Sequence, residues 1–380
     1  MIDYCNKCIM PSTKPDIYFN ENGICSGCIS FDERQNINWD LRKKEFEDLI
    51  NKYKSQSYWD CIIPVSGGKD STYQVIKALE YDLNPLCVNA TTCDFSDLGR
   101  KNLDNIKNLG VDVIEFSPNK QIRSKLNKIG LIEVGDITWP EHVGIFTIPV
   151  SIAVKFNINL IIWGENSQNE YGAGPLHSSK TYEKNRQWLE EFGGLLGMRV
   201  SDIHESFNIN KNDILPYIYP DKKILEQNNI FGIFLGYFFP WDGQKNFTIA
   251  KNNGFQEFNG ELEGSLVNYE NLDNFYHGIH DYYKYLKFGF ARATDQACLH
   301  IRRGLISREE AFEKVKNIEG KFPWSYLDKG LEEILKNIDI SVEDFIANCD
   351  RFTNKKLFKT DSSGKLKKNN NGDLFKIDNL

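Results

Sequence analysis

The segment Pro64-Val65-Ser66-Gly67-Gly68-Lys69-Asp70-Ser71 brings together the residue types that hold a phosphate chain. Gly67 and Gly68 lack a Cβ, so their backbone N–H groups can approach phosphate oxygens closely, and a helix beginning after them presents its positive end. Ser66 and Ser71 add hydroxyl donors, Lys69 offsets phosphate charge, and Asp70 is placed to hold Mg²⁺ against the same oxygens. A Walker A loop needs a Gly five residues before its Gly-Lys pair and a Ser or Thr after the Lys. Ile63 and Asp70 occupy those positions, so the loop is of another type. The plainer alternative is a tight strand-to-helix turn with two glycines and a polar cap.

A second chemistry lies at the start of the chain. Cys5-x2-Cys8 and Cys25-x2-Cys28 have the spacing of two zinc knuckles, and four thiolates close a tetrahedral Zn²⁺ site whose role is structural. The alternative is a pair of disulfides. Metal binding can supply the folding energy that so short a segment lacks. The other five of the nine cysteines, Cys61, Cys87, Cys93, Cys298 and Cys349, form no further pair of this kind.

The elements that must position these groups follow from periodicity. Residues 1–35 form the cysteine module and 36–57 a linker whose segment Asp40–Lys54 has helical amphipathic spacing. From residue 58 to 200, short apolar runs at 60–65, 85–89, 111–116 and 160–163 alternate with helical stretches at 71–80, 97–109, 120–129 and 142–156. That alternation is the pattern of an α/β unit with a parallel sheet. Ser96 and Asn119 stand as helix caps. Beyond residue 200 the alternation fades, and 201–353 reads as mostly helical, with Ser307-Arg-Glu-Glu310 as a capping box. The tail 354–380, rich in Lys and Asn, reads as turns between short strands or partial disorder.

The chain has 380 residues, 41% of them apolar, and a net charge of −7. The acidic pI of about 5.6 removes the simplest argument for a nucleic-acid partner, a strongly basic surface. The uncharged aromatic stretch Ile230–Trp241 falls short of the roughly 20 residues that span a bilayer. The N-terminus shows no basic region followed by an apolar one, so a soluble cytoplasmic protein is expected.

The Ser66–Ser71 string resembles that of the PP-loop enzymes, which cleave ATP between its α and β phosphates. More narrowly, the sequence resembles the N-acetyl sugar amidotransferase family of bacterial surface-sugar biosynthesis. The resemblance runs from the cysteine knuckles to about residue 320. It rests on the loop string, Gly135-Asp-Ile-Thr-Trp-Pro-Glu-His-Val-Gly144, Ile162-Trp-Gly-Glu-Asn166 with Asn169-Glu-Tyr-Gly172, and Lys287-Phe-Gly-Phe-Ala-Arg-Ala-Thr-Asp295 with Ile301-Arg-Arg-Gly304.

The resemblance implies a PP-loop ATP-binding domain, a zinc ribbon and a helical acceptor-binding region. It implies conversion of a sugar N-acetyl group into an acetamidino group, as in lipopolysaccharide and in nonulosonic acids of the pseudaminic and legionaminic type. ATP, Mg²⁺ and a structural Zn²⁺ are the expected cofactors. The chain shows no glutaminase nucleophile signature, so a partner glutaminase with a cyclase-like subunit is expected to supply ammonia, with neither membrane nor nucleic acid involved. Lys69, Asp70, Glu165, Arg292 and Asp295 are the expected catalytic groups. Asn89 and Gly164 join Ser66–Ser71 at the nucleotide, and Trp139, Glu141, His142, Asn166 and Tyr171 are expected at the acceptor. For His142 the alternative is a satisfied core histidine, and for Asp295 a helix cap of the segment Ala293–Arg303. The rival functions are a tRNA-modifying enzyme of the same class, a thiolase or lysidine synthetase, and an ATP-binding assembly subunit without turnover.

Overall fold

A computed structural model describes residues 2–54, 57–165 and 196–377. Asn166 and Tyr171 lie outside the described residues. Five short strands build one parallel sheet: β1 (Cys61–Pro64), β2 (Pro85–Ala90), β3 (Asp112–Phe116), β4 (Leu160–Trp163) and β5 (Phe231–Phe234), in the order β3-β2-β1-β4-β5. The registers pair Cys61 with Pro85, Leu86 with Asp112, Ile62 with Ile161 and Leu160 with Phe231.

Alternation along these strands explains why both faces are covered. Ile62, Leu86, Val88 and Ile161 pack on Ile148, Val150, Ile152 and Ala153 of helix α6 (Trp139–Phe156). On the other face, Cys61, Ile63, Cys87, Leu160 and Ile162 meet Val75 and Ala78 of α3 (Lys69–Glu80) and Leu103 and Ile106 of α4 (Asp97–Asn108). Phe46, Leu49 and Ile50 of α2 (Trp39–Ile50) extend that layer. The linker is thus a helix with a buried stripe, as its spacing predicts.

Local chemistry sets the helix starts. Ser96 accepts from Gly99 N at the head of α4, and Asn119 accepts from Gln121 N and Ile122 N at the head of α5 (Lys120–Ile129). Ser307 and Glu310 form the reciprocal capping box of helix Arg308–Ile318. The sheet continues past residue 200, where the sequence pattern suggests a boundary, because Phe231–Phe234 pairs with β4.

A second core forms around helices His277–Phe288 and Val342–Phe352, in which Tyr276, Tyr283, Leu286 and Phe345 are buried together with Leu131 and Ile137 of the first half. The tail adds Phe358, Leu366 and Leu374 to this core through bridges Phe358–Lys376, Thr360–Leu366 and Lys368–Leu374. Asp361 and Asn369 organise its two turns by accepting backbone N–H bonds from residues two and four further on. Among the described residues, no helix is long and apolar enough to cross a membrane.

Candidate functional site

The loop after β1 and the residue after β4 lie at the carboxyl edge of the sheet, at the point where the strand order reverses. Open α/β sheets bind ligands there. A cleft at this edge is lined by Ser66–Ser71, by Gly99 and Asn102 of α4, by Glu165, by Phe255 and residues 269–273, and by Arg292. The fold therefore gathers the phosphate-type loop, Glu165 and Arg292 in one place.

The two loop glycines have different duties. Gly67 has φ +89°, and a Cβ there would stand 2.7 Å from Leu103 N, so its bareness lets the loop pass against α4. Gly68 has ordinary backbone angles and a Cβ would meet only Ser66 Oγ, at 3.2 Å. Its bareness leaves the cleft side open. Gly68 caps α3: its N–H donates to Ser66 Oγ (3.2 Å), and its carbonyl accepts from Ser71 Oγ and Thr72 Oγ1, both at 3.0 Å. The Ser71 hydroxyl is thus turned toward the backbone of the loop itself.

Lys69 is buried, with Nζ 2.7 Å from Asp70 Oδ2 and 3.0 Å from Glu270 Oε1. Burial alone would lower its pKa, but Asp70 and Glu270 hold it above the ordinary lysine value. Asp70 Oδ1 also accepts from Asn246 Nδ2 at 2.9 Å. Glu270 Oε2 accepts from Gln296 Nε2 at 2.8 Å and lies 4.0 Å from Arg292 Nη1. Burial would raise the Glu270 carboxyl, yet Lys69 and Arg292 bring it down to about 2. Arg292 itself grips Asp281 through Nε (2.8 Å) and Nη2 (3.3 Å). Its helix, Arg292–Arg302, projects it toward the loop.

Segment 269–273 is held by α4. Ser96 N donates to Asp273 O at 3.0 Å, Ser96 Oγ donates to Leu272 O, and Asn102 exchanges bonds with the backbone of Gln256 at 2.8 and 2.9 Å. The sequence reading missed Tyr269, Glu270, Asn271 and Asp273. No spacing relates them to Lys69, and only the return of the chain brings them there.

Several expected residues are placed elsewhere. Asn89 is buried and donates Nδ2 to Val65 O (2.7 Å), which ties β2 to the root of the loop rather than lining the cleft. Gly164 packs against Gln74 and Trp241, and its carbonyl accepts from Gly236 N at 3.0 Å. Trp139 is wholly buried among Leu126, Ile129, Val143 and Tyr217, so it is a core residue and not a wall of the cleft. Glu141 is buried and bound to Arg123 Nη1 (3.2 Å) and Asn127 Nδ2 (2.7 Å), which takes up both its oxygens in structural contacts. Asp295 is buried, pairs with Lys284, and lies 3.9 Å from Lys14; it joins the N-terminal module to this helix and does not line the cleft. His142 sits beside Asp136 and His280, outside the lining.

The four cysteines of the knuckles converge, fully buried. Cys8 Sγ and Cys25 Sγ are 3.7 Å apart, and Cys5 Sγ and Cys28 Sγ 4.0 Å. A disulfide needs about 2.05 Å, whereas four sulfurs at about 2.3 Å from a tetrahedral zinc stand about 3.8 Å apart. The cluster fits Zn²⁺. Buried Arg302 supports the same charge state, with Nε 3.4 Å from Cys28 Sγ and Nη2 3.7 and 3.9 Å from Cys25 Sγ and Cys8 Sγ. A buried guanidinium needs anions near it, and a zinc tetrathiolate is a dianion. The module shares its core with Phe290, Ala293, Ala297, Ala311 and Val315, so its folding and that of the C-terminal helices support each other.

The C-terminal part of the chain is similar to a known family. Residues 255–370 match the family described as LPS biosynthesis protein WbpG-like, C-terminal domain. That segment carries Phe255, residues 269–273 and Arg292 of the cleft, and it is similar to a domain of lipopolysaccharide-biosynthesis proteins. A particular relative is an uncharacterised protein of Methanocaldococcus jannaschii, 36% identical over 88 residues, which are 22% of this chain and 31% of the relative. The chain thus spans less than a third of that relative's length.

Proposed function

We propose that the protein is an ATP-dependent, AMP-forming amidotransferase of surface-sugar biosynthesis that converts a sugar N-acetyl group into an acetamidino group. The observation that carries this reading is the cleft at the sheet's carboxyl edge. There the phosphate-type loop faces Arg292, which is supplied by the segment similar to lipopolysaccharide-biosynthesis proteins.

An amide carbon is a poor electrophile. The carbonyl oxygen of the acetamido group attacks the α-phosphorus of ATP, the bond to the β-phosphate oxygen breaks, and pyrophosphate leaves. Ammonia then adds to the activated carbon, and the C–O bond breaks to release AMP, leaving an amidinium. Gly68 gives the β and γ phosphates close access, while Lys69 can exchange Glu270 for phosphate oxygens without leaving its place. Arg292, held by Asp281, faces the charge that develops on the leaving pyrophosphate. The lining holds Lys69 and Arg292 against Asp70, Glu165, Glu270 and Asp273, so an added polyanion needs a compensating cation. Those hard oxygen donors fit Mg²⁺, with Asp70 its first ligand; when bound it would neutralise pyrophosphate charge. Ammonia would come from a partner glutaminase.

The test incubates the protein with ATP, Mg²⁺, ammonium and a panel of nucleotide-linked N-acetyl sugars. AMP and pyrophosphate should form only with an acceptor, and that acceptor should exchange O for NH by mass spectrometry. Glutamine should replace ammonium only when a glutaminase is added. If every sugar stays unmodified while tRNA stimulates pyrophosphate release, the protein is a tRNA-modifying enzyme instead.

A further inference from the structure

A second cluster of ligand-type side chains lies next to the Arg292–Asp281 pair, and neither the phosphate-type loop nor the cysteine cluster uses it. Asp136, His142 and His280 come from two distant parts of the chain, and their ligand atoms all lie within 4.8 Å of one another. We propose that Asp136, His142 and His280 hold a divalent first-row transition-metal ion, Zn²⁺ or one of similar preference.

The spacing is that of a coordination shell. His142 Nδ1 is 3.1 Å from Asp136 Oδ2, and His280 Nδ1 is 2.8 Å from Asp136 Oδ1. Ligands bound at about 2.0–2.2 Å stand about 2.9–3.4 Å apart around an octahedral or tetrahedral ion. A hydrogen-bonded triad would also bring nitrogen and oxygen this close, but it would align them. His280 Nδ1 is aligned in this way with Asp136 Oδ1 and also stands 2.9 Å from Thr138 Oγ1, whereas His142 Nδ1 is buried and makes no hydrogen bond. A buried nitrogen left without a hydrogen bond is unfavourable, and an ion between it and the carboxylate would satisfy both.

The surroundings resemble the outer shell that orients metal ligands. Thr138 N and Thr138 Oγ1 donate to Asp136 Oδ1 at 2.9 and 2.8 Å, which fixes the carboxylate. Lys287 donates to the carbonyls of Val134 (2.6 Å) and Gly135 (2.9 Å), which pins the Asp136 turn to the helix that bears His280. Gly135 has φ +63°, and a Cβ there would stand 2.8 Å from Phe352 and 2.9 Å from Lys287. The two imidazoles remain 29% and 25% exposed, so an ion can enter. Three protein ligands leave a position for water or for an oxygen or nitrogen of a bound molecule, as open metal sites do. Two imidazoles with one carboxylate suit Zn²⁺, Fe²⁺ or Co²⁺ and not Ca²⁺.

The experiment uses the full-length protein dialysed against a mild chelator until one zinc per chain remains, in the cysteine cluster, with no nucleotide present, so it does not depend on the ATP reading. Co²⁺ is titrated in, with bound metal counted after equilibrium dialysis. One further equivalent should bind, with ligand-field absorption in the visible and no thiolate-to-cobalt charge transfer. His142→Ala and His280→Ala should weaken cobalt binding tenfold or more while zinc content stays at one, whereas Asp70→Asn should leave it unchanged. Should either alanine variant fail to fold, His280→Asn keeps a polar group against Thr138 and is read in the same way. No extra cobalt on the wild-type protein, or extra cobalt that the folded histidine variants bind equally well, overturns the proposal and leaves a hydrogen-bonded triad.

Discussion

Gly67 and Gly68 are neighbours in one motif, yet the contacts a Cβ would make separate their roles. Gly67→Ala forces a side chain into the left-handed region and against the backbone of α4. It should therefore lower stability by about 1–3 kcal/mol, visible as a fall in melting temperature. Gly68→Val should leave melting nearly unchanged and abolish nucleotide binding measured by calorimetry. Equal melting temperatures for the two variants would refute this division. Glu270 makes a second residue-level prediction. Its folded carboxyl sits at about 2 against an ordinary 4.5, so the stability it adds is present above 4.5 and lost as pH falls from there toward 2. A gap of that size corresponds to roughly 3 kcal/mol. Glu270→Gln should cost stability at pH 7 and recover roughly half of that cost by pH 3 in urea melts, the rest closing toward pH 2. A cost that is the same at both pH values would show that Glu270 has no such linkage.

At the scale of elements, regular segments follow directly from local pattern. Leu160–Trp163 and Lys120–Ile129 are found with the bounds their periodicity predicts, because an apolar run and a capped amphipathic stretch carry their own instructions. β5 was not legible: its four residues lie inside the aromatic run Phe231–Trp241, where alternation is hidden. Glu270 beside Lys69, and His280 beside Asp136, were not legible either, since nothing local in a sequence encodes contacts that chain return creates. Trp139 is buried in the core, although a polar-flanked aromatic at a helix start can face a ligand or a core, and only packing decides. The cysteine module read as a separate unit, whereas Arg302 is buried against its sulfurs, on the same helix as Arg292. Removing zinc, by chelator or by Cys25→Ser, should leave a buried guanidinium facing neutral thiols and loosen that helix. Amide exchange across residues 292–302 should then accelerate at least tenfold, and nucleotide affinity should fall with it. Unchanged exchange in the metal-free protein would separate the module from the cleft.

For the whole molecule, the cleft belongs to neither half of the chain. The loop and Glu165 come from the first half, Glu270 and Arg292 from the second, and β5, the strand that covers the open edge of β4, begins only at residue 231. A chain cut at residue 200 therefore has a defined fate. Leu160–Trp163, buried on both faces and paired on both edges in the intact protein, would lose β5 and present unpaired backbone groups on an apolar strand, a template for aggregation. The second half would lose Leu131 and Ile137, which fill the core beside Tyr276 and Tyr283, and would keep Arg292 without the loop it faces. Residues 1–200 expressed alone should be insoluble, and residues 201–380 alone should melt without cooperativity. Co-expression should restore a soluble complex that binds nucleotide, since each fragment supplies the surface the other lacks. The measurement is the soluble fraction, the circular dichroism melt and calorimetric nucleotide affinity of each fragment and of the pair. A soluble 1–200 fragment that binds nucleotide as tightly as the full chain would mean that Glu270 and Arg292 contribute nothing to the site, and the two-sided cleft would have to be abandoned.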